Sequence, residues 1–437
     1  MNIRNTLIAL SGFFAFLSAN QAFAQTNPNL PTLQNATLPE LVEYALENKP
    51  GIKQALIDEE IGERDIQSAL SGWLPQISAN ADLSHSIKQQ QANIPRNNSG
   101  ITIQADQQIL NAGLIQASKS AQFYRKQFDE NTENQSINTV VEVSKGYYDI
   151  LTSQEQLKII SENINRLEKQ FQDAKAQYEV GLVDKTDFQR AQISLSNSKA
   201  DLKRTQELLK YKYAYLKALI GYDENRELSL SFNGQEMEQD ILLDTTDMLN
   251  YQNRVEYRQL QTQKQLQQIN TNYSKLQFMP NLSGFINYGL AYNNDDFGNL
   301  YNQSYPGSVV GLRLNIPIFQ GTKRKQEIRK SQLLEDRIDL DLINAKNQIH
   351  SQYELAMASY KANLNDWKVA KENVEISEDV YNTIKLQYDE GVKAYLDLMT
   401  SETDLRTAQL NYLNTLYSLL SAKLDVKQAL GTISLNQ

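Results

Sequence analysis

The residues that could carry chemistry are few. The 437-residue sequence has two histidines, His85 and His350, and no cysteine. That excludes a disulfide framework, a thiol nucleophile, a thiolate metal site and a lipid-modified cysteine. Two histidines far apart in sequence cannot build a His-rich metal cluster and are poor material for a catalytic triad, so neither is assigned a role. No Gly-x-Ser-x-Gly, phosphate loop, His-Glu-x-x-His or Gly-x-Gly-x-x-Gly occurs. What remains is a spacing of tyrosine, glycine and aspartate that appears twice, Tyr178…Gly181…Asp187 and Tyr388…Gly391…Asp397. A carboxylate placed just after a turn glycine can cap the helix that follows and present a negative charge at its tip. Tyrosine at these positions can pack or hydrogen-bond. This is electrostatic and structural chemistry, so the chain is not expected to be an enzyme or to bind a cofactor.

The two spacings belong to a longer repeat. At an offset of 210 residues, Asp187, Leu195, Leu209, Lys217 and Gly221 are matched by Asp397, Leu405, Leu419, Lys427 and Gly431. Upstream, Trp73-Leu74-Pro75 is echoed by Phe278-Met279-Pro280 and Ile109-Leu110-Asn111 by Ile318-Phe319-Gln320. The chain therefore divides into a first repeat over 25–221, a linker over 222–245 and a second repeat over 246–437. Units this long indicate duplication, not a solenoid.

Long helices must position the paired motifs. Leu157, Ile160, Ile164, Leu167, Phe171, Ala174 and Tyr178 step alternately by three and four, a coiled-coil seam. Trp367 through Tyr388 repeat it. Phe188, Leu195, Leu202, Leu209 and Leu216 recur every seven residues, as do Leu398, Leu405, Tyr412, Leu419 and Val426. The spacing predicts helices over 41–73, 113–180, 185–221, 248–278, 323–388 and 395–431, with Gly181 and Gly391 at hairpin tips. In each repeat the two shorter helices together match the long one in length. Narrow stripes on long polar helices account for a hydrophobic content of only 41%.

Between the helices the period changes to two. Ile77, Ala79, Ala81 and Leu83 alternate with Ser78, Asn80, Asp82 and Ser84; Ile101, Ile103 and Ala105 alternate with Thr102, Gln104 and Asp106. Leu282, Ile286, Tyr288, Leu290 and Tyr292 share a face, and Leu312, Leu314, Ile316 and Ile318 share another, opposed by Arg313 and Asn315. Strands are predicted at about 76–87, 101–110, 281–292 and 308–319, with polar tips at 88–100 and 293–307. Their length suits tilted transmembrane strands with one face to lipid and one to water. Residues 1–24 read as a secretory signal: Arg4, an apolar run from Leu7 to Leu17, then Ala22-Phe23-Ala24. Its removal takes the net charge from −9 to −10, which argues against nucleic acid as a partner. No later apolar run could cross a membrane as a helix, so a crossing must be made of strands. Four strands cannot close; two chains would give a side-chain-filled barrel of eight, and three give twelve with room for a passage. A homotrimer is expected.

The arrangement resembles the TolC family of outer-membrane efflux and export proteins, over essentially the whole chain beyond the signal. The resemblance rests on the duplicated units, the Tyr-x-x-Gly-x5-Asp tips, Trp73-Leu74-Pro75-Gln76 with Phe278-Met279-Pro280-Asn281, and the strand exits Ile109-Leu110-Asn111-Ala112-Gly113 and Pro317-Ile318-Phe319-Gln320-Gly321. It implies a mixed α and β membrane protein, mostly α. Four strands per chain of a trimer make a shared transmembrane β-barrel, continued by a long periplasmic α-helical barrel of coiled-coil hairpins. It implies an outer-membrane location in a Gram-negative cell and a passive exit duct for tripartite efflux or type I secretion. The partners would be outer-membrane lipid, a periplasmic adaptor and an inner-membrane transporter. The alternative is a soluble periplasmic coiled-coil adaptor or structural protein without a pore.

The resemblance also implies site residues. Val180, Gly181 and Leu182 match the family's Val-Gly-Leu tip, which contacts the adaptor; the second copy, Glu390-Gly391-Val392, departs from it but places Gly391 and Val392 equivalently. Tyr388 with Asp187, and Lys393 with Thr186, match polar links that hold the periplasmic end closed. Asp397 matches an inward carboxylate ring that would attract cations. A second ring would fall on Thr400, a departure that weakens the case for a double acidic gate.

Overall fold

A computed structural model describes residues 33–88, 94–182, 184–231, 237–238, 241–243 and 248–435. The proposed signal at 1–24 and part of the linker lie outside them. The elements run α1 (Leu38–Asn48), α2 (Pro50–Leu70), β1 (Gln76–His85), β2 (Asn97–Leu110), α3 (Ala112–Glu179), α4 (Lys185–Ile220), α5 (Val255–Leu276), β3 (Asn281–Asn294), β4 (Tyr305–Asn315), α6 (Lys323–Asp389) and α7 (Tyr395–Leu430).

The four strands form one antiparallel sheet in the order β1-β2-β3-β4. Directly paired residues share a face. Ile77 pairs with Ala105, Ala105 with Ile286, and Ile286 with Val310, so one face carries the apolar set across all four strands. Val310 is 77% exposed and Leu312 71% exposed, with none of the described residues over them. The other face is mostly polar, apart from Phe285, Ala291, Tyr305 and Val309. Arg313 stands over the Phe285 ring at 5.2 Å, and Phe285 lies against Gly311, where any side chain would clash with it.

Helix α3, 68 residues or about 100 Å long, is the spine. Along its half nearer the sheet it packs between α2 and α5; along its far half it packs between α4 and α7. Helix α6, 67 residues, packs on α5 and then on α7. The helices thus stand side by side as α2-α3-α5-α6 near the sheet and α4-α3-α7-α6 away from it. The largest buried cluster sits midway, where Leu41, Tyr44, Ile150, Leu216, Tyr360 and Leu420 meet. Tyr147 and Tyr360 donate their hydroxyls to the carbonyls of Ser231 and Ile241, binding the linker to the helices.

Several boundaries differ from the sequence reading. The helix expected over 41–73 is broken at Lys49, whose extended backbone (ψ 124°) precedes Pro50, because proline disfavours a helical residue before it. The helix expected from 248 starts at Val255, after a short turn at Tyr251–Asn253. Strand β4 spans 305–315, not 308–319, so Ile316 and Ile318 leave the ladder; Pro317 between them has no N–H to donate. Strands β2 and β3 extend to Asn97 and Asn294, which shortens the polar tips.

Candidate functional site: the hairpin tips

The two hairpin tips are built alike. At the first, Leu182 N–H donates to the Gln177 carbonyl (2.8 Å) and Gly181 N–H to that of Tyr178 (3.0 Å). At the second, Val392 donates to Gln387 (2.8 Å) and Gly391 to Tyr388 (2.9 Å). This paired closure requires a left-handed residue after the helix, and Gly181 and Gly391 have φ of 79° and 76°. The turns push Val180, Leu182 and Val392 outward, each more than 70% exposed, at the extreme end of the helices.

Behind the turns lies a small cluster of rings. Tyr388 touches both of the buried groups near the tips, Ala174–Ala191–Tyr395 and Tyr381–Leu398–Leu405. Its ring lies 6.0 Å from that of Tyr395, and its hydroxyl meets the Gln177 side chain. Burial, with Asp173, Asp187 and Asp389 nearby, pushes the Tyr388 pKa up, despite the Gln177 bond. Tyr388 and Asp187 therefore share one neighbourhood within a single chain, but the hydroxyl's partner is Gln177. Burial, and next the charge of Glu402, push the Tyr395 hydroxyl up more strongly; it is buried and makes no hydrogen bond in this chain among the described residues.

The remaining site residues stand apart. Thr186 is exposed, and its N–H donates to the Asp184 carboxylate (3.2 Å), which caps α4. Lys393 is exposed, and among the described residues no hydrogen bond joins it to Thr186 within the chain. Asp397 lies in the first turn of α7 and accepts the Ala394 N–H (3.3 Å), a capping role that leaves the carboxylate exposed. Thr400 turns its hydroxyl back to the Leu396 carbonyl (2.9 Å). His85 bonds Asn97 at the end of β1 (2.7 Å), and His350 lies exposed on α6.

Sequence reasoning missed the strongest polar contact near the tips. Glu402 on α7, 2% exposed, accepts from Arg166 Nε (2.9 Å), Asn163 (3.0 Å) and Gln170 (2.6 Å), all on α3. Arg166 also lies over Tyr381 (5.8 Å). The seam pattern gave no warning, because Glu402 sits beside a seam position and reads as a solvated acid. The repeat offset held a hint: Gln192, Ile376 and Val380 stand where Glu402, Arg166 and Gln170 stand in the other copy, so this set is not demanded by the hairpin itself.

The model of the family described as outer membrane efflux protein matches residues 41–222 and 250–432. The chain is 20% identical over 420 residues to the outer membrane protein TolC of Vibrio cholerae, covering 93% of this chain and 94% of that one. It is 22% identical over 439 residues to the alkaline protease secretion protein AprF of Pseudomonas aeruginosa, covering 97% and 88%. The crystal structure of the Campylobacter jejuni CmeC outer membrane channel has the same fold, with a TM-score of 0.75 at 16% identity over 95% of this chain and 92% of that one. Matched in both halves, from α1 to the end of α7, this outer-membrane protein belongs to the outer membrane efflux protein family.

Proposed function

We propose that three copies of the chain close into one duct, an outer-membrane exit channel for efflux or secretion. The observation that carries this reading is that the sheet and the helix layer end together, on matching open edges. Strands β1 and β4 have no outer partner among the described residues. The helix row ends on α2 and α4 at one side and on α6 at the other. Those edges expose apolar side chains: Ile57 and Ile61 on α2, Ile193 on α4, and Leu340, Ile376 and Val380 on α6. Unpaired strand edges are not stable in lipid, and a neighbouring chain laid β1 against β4 covers sheet and helices in one step.

The duct does no chemistry of its own. An inner-membrane transporter supplies energy, and a periplasmic adaptor engages the exposed tips at Val180, Gly181, Leu182, Gly391 and Val392. Closure rests on Tyr388 beside Asp187 within a chain, on Lys393 reaching Thr186 of a neighbour, and on Asp397 projecting inward. A soluble adaptor is not favoured, because the apolar sheet face needs lipid to cover it. The test is the native mass of the particle that detergent extracts from the outer-membrane fraction. A stable particle of three chains is expected; a monomer or dimer that needs no detergent overturns the reading.

A further inference from the structure

The junction between sheet and helices carries a charge pattern that the duct does not require. After β4 come the exposed apolar residues Ile318 (94%) and Phe319 (85%), and beside them Phe278. This is the apolar margin of the sheet. Helix α6 then starts, and its first eight residues, Lys323 to Lys330, hold five bases, Lys323, Arg324, Lys325, Arg329 and Lys330, against one acid, Glu327. Lys275, in the last turn of α5, adds a sixth. None of the six forms an ion pair among the described residues, although the rest of the helical body pairs many of its bases. Cations in the first turn of a helix also oppose its dipole, so the cluster is locally unfavourable.

The duplication shows that the fold can do without it. The equivalent eight residues at the start of α3, Gly113 to Ser120, carry one base, Lys119. Leu114 there corresponds to Arg324. Arg324 is held over the Phe278 ring (4.9 Å) and by Gln320, whose Oε1 accepts from its Nε (2.9 Å); its Nη1 is shielded and makes no hydrogen bond among the described residues. Lys323, Lys325, Arg329 and Lys330 are exposed. Helix α6 packs on α5 through Ser331 and Ile338, and this leaves Lys323 and Lys330 on one flank, Lys325 on the other, and Arg329 on the side away from α5. Whichever way the helix row curves, either Lys323 with Lys330 or Lys325 lies on its outer surface, within two helical turns of the apolar margin.

We propose that this basic collar docks on the anionic phospholipid headgroups of the membrane leaflet that faces the helices. The acidic whole makes the local excess of positive charge more pointed, and basic residues at a membrane margin are attracted to anionic lipid by roughly a factor of five each. The inference rests on the outer-membrane placement of the sheet, not on the number of copies in the particle.

The experiment offers the full chain in dodecyl maltoside equal amounts of phosphatidylglycerol and phosphatidylethanolamine with the same acyl chains, and counts bound lipid by native mass spectrometry. Phosphatidylglycerol is expected to be retained over phosphatidylethanolamine by on the order of tenfold. The preference should shrink between 50 and 500 mM salt, about the range over which screening takes hold. The variant K323Q/K325Q/R329Q/K330Q, which leaves Arg324 on Phe278, should lose the preference. A control with the same loss of charge, K169Q/K175Q/K361Q/K368Q, should keep it. Equal retention of the two lipids by the wild type overturns the collar, as does equal loss in the control. Displacement of phosphatidylglycerol by millimolar inorganic phosphate also overturns it, because the site then holds an ion and not a lipid surface. A chain that stays in solution without detergent removes the membrane placement itself, a different failure.

Discussion

Arg166 and Glu402 join the two hairpins of one chain: Nε of Arg166 lies 2.9 Å from Oε1 of Glu402, whose side chain is 2% exposed. The pair is completed by Asn163 and Gln170, so the carboxylate is fully engaged. Removing one partner of a buried pair strands the other charge, whereas a neutral isostere keeps most hydrogen bonds. Arg166 keeps 30% of its side-chain exposure, so water recovers part of the loss. We expect Glu402→Ala to weaken the local closure of α3 on α7 by about 2–3 kcal/mol, and Glu402→Gln by clearly less. Amide exchange in residues 395–410 is the readout. Equal effects of the two variants would show that packing, not charge, holds the hairpins together.

The glycines that end α4 and α7 should tolerate substitution far less than the tip glycines. A Cβ on Gly431 would lie 2.5 Å from the Asn253 carbonyl oxygen, and one on Gly221 2.6 Å from that of Asn48. A Cβ on Gly391 meets nothing within 4 Å. Gly391→Ala then carries only the left-handed backbone strain, about 1–2 kcal/mol, while Gly431→Ala must also displace a backbone oxygen. Thermal unfolding in detergent should separate them, with Gly431→Ala much the more destabilised. Similar melting temperatures would mean that the 250–254 segment yields easily.

Periodicity made the architecture legible because each element had to satisfy one repeating constraint. A seam of 3-4 spacing fixed α3 and α6 to within a residue or two, and the alternation of Ile77 to Leu83 fixed the face of β1. What failed were local effects that periodicity does not carry. Pro50 broke a helix whose apolar spacing runs on through it, and Pro317 ended β4 ahead of the apolar pattern. At the tips, motif spacing led to Tyr388 and Asp187, and the chain places them near each other. It did not lead to Gln177 or Glu402, because a long-range partner leaves no trace in a single sequence when polar residues abound on every exposed face. Lys49 and Arg254 make the same point. They occupy one position in the two copies, and Lys49 pairs with Glu142 (3.1 Å) where Arg254 bonds Gln352 (3.1 Å), a correspondence visible only in three dimensions.

The linker should loosen in acid through Glu238. Burial alone would raise its pKa, but the Lys371 ammonium (2.8 Å) and the Tyr412 hydroxyl outweigh this and hold it below the usual carboxylate range. A carboxylate whose folded pKa is depressed adds stability that is present above the unfolded value, about 4, and is lost as pH falls through the folded value. Glu238→Gln should therefore speed amide exchange at residues 228–231 by a few-fold at pH 7, about 0.5–1 kcal/mol for a partly exposed pair. The difference from the wild type should fade below about pH 4. A difference that persists undiminished in acid would exclude the charge of Glu238 as its source.

At the proposed gate, Tyr388→Phe should ease opening. The change removes one hydroxyl and its bond to Gln177 while keeping the ring that touches Tyr395. A net hydrogen bond is worth about 0.5–1.5 kcal/mol, so the open population should rise roughly two- to tenfold. Asp187→Ala, which removes a charge from the same neighbourhood, should act in the same direction. Single-channel conductance of the reconstituted protein is the measurement, and unchanged conductance in both variants removes Tyr388 and Asp187 from the gate.

Asp397 caps α7 and is proposed to project into the duct, and one substitution can divide the two roles. Its carboxylate accepts the Ala394 N–H, and its charge favours the start of α7. Asp397→Asn keeps an oxygen to accept that bond and loses only the charge, a cost of about 0.3–1 kcal/mol at an exposed helix start. If capping were its whole purpose, conductance would not change. If the exposed carboxylates of three chains converge on the duct, they concentrate multivalent cations at the narrow end. Block of the reconstituted channel by a trivalent cation should then weaken by an order of magnitude or more in Asp397→Asn, with the melting temperature nearly unmoved. Block that is equally strong in wild type and variant would leave Asp397 as a capping residue only, and the cation site would have to be sought among the other acids of the duct.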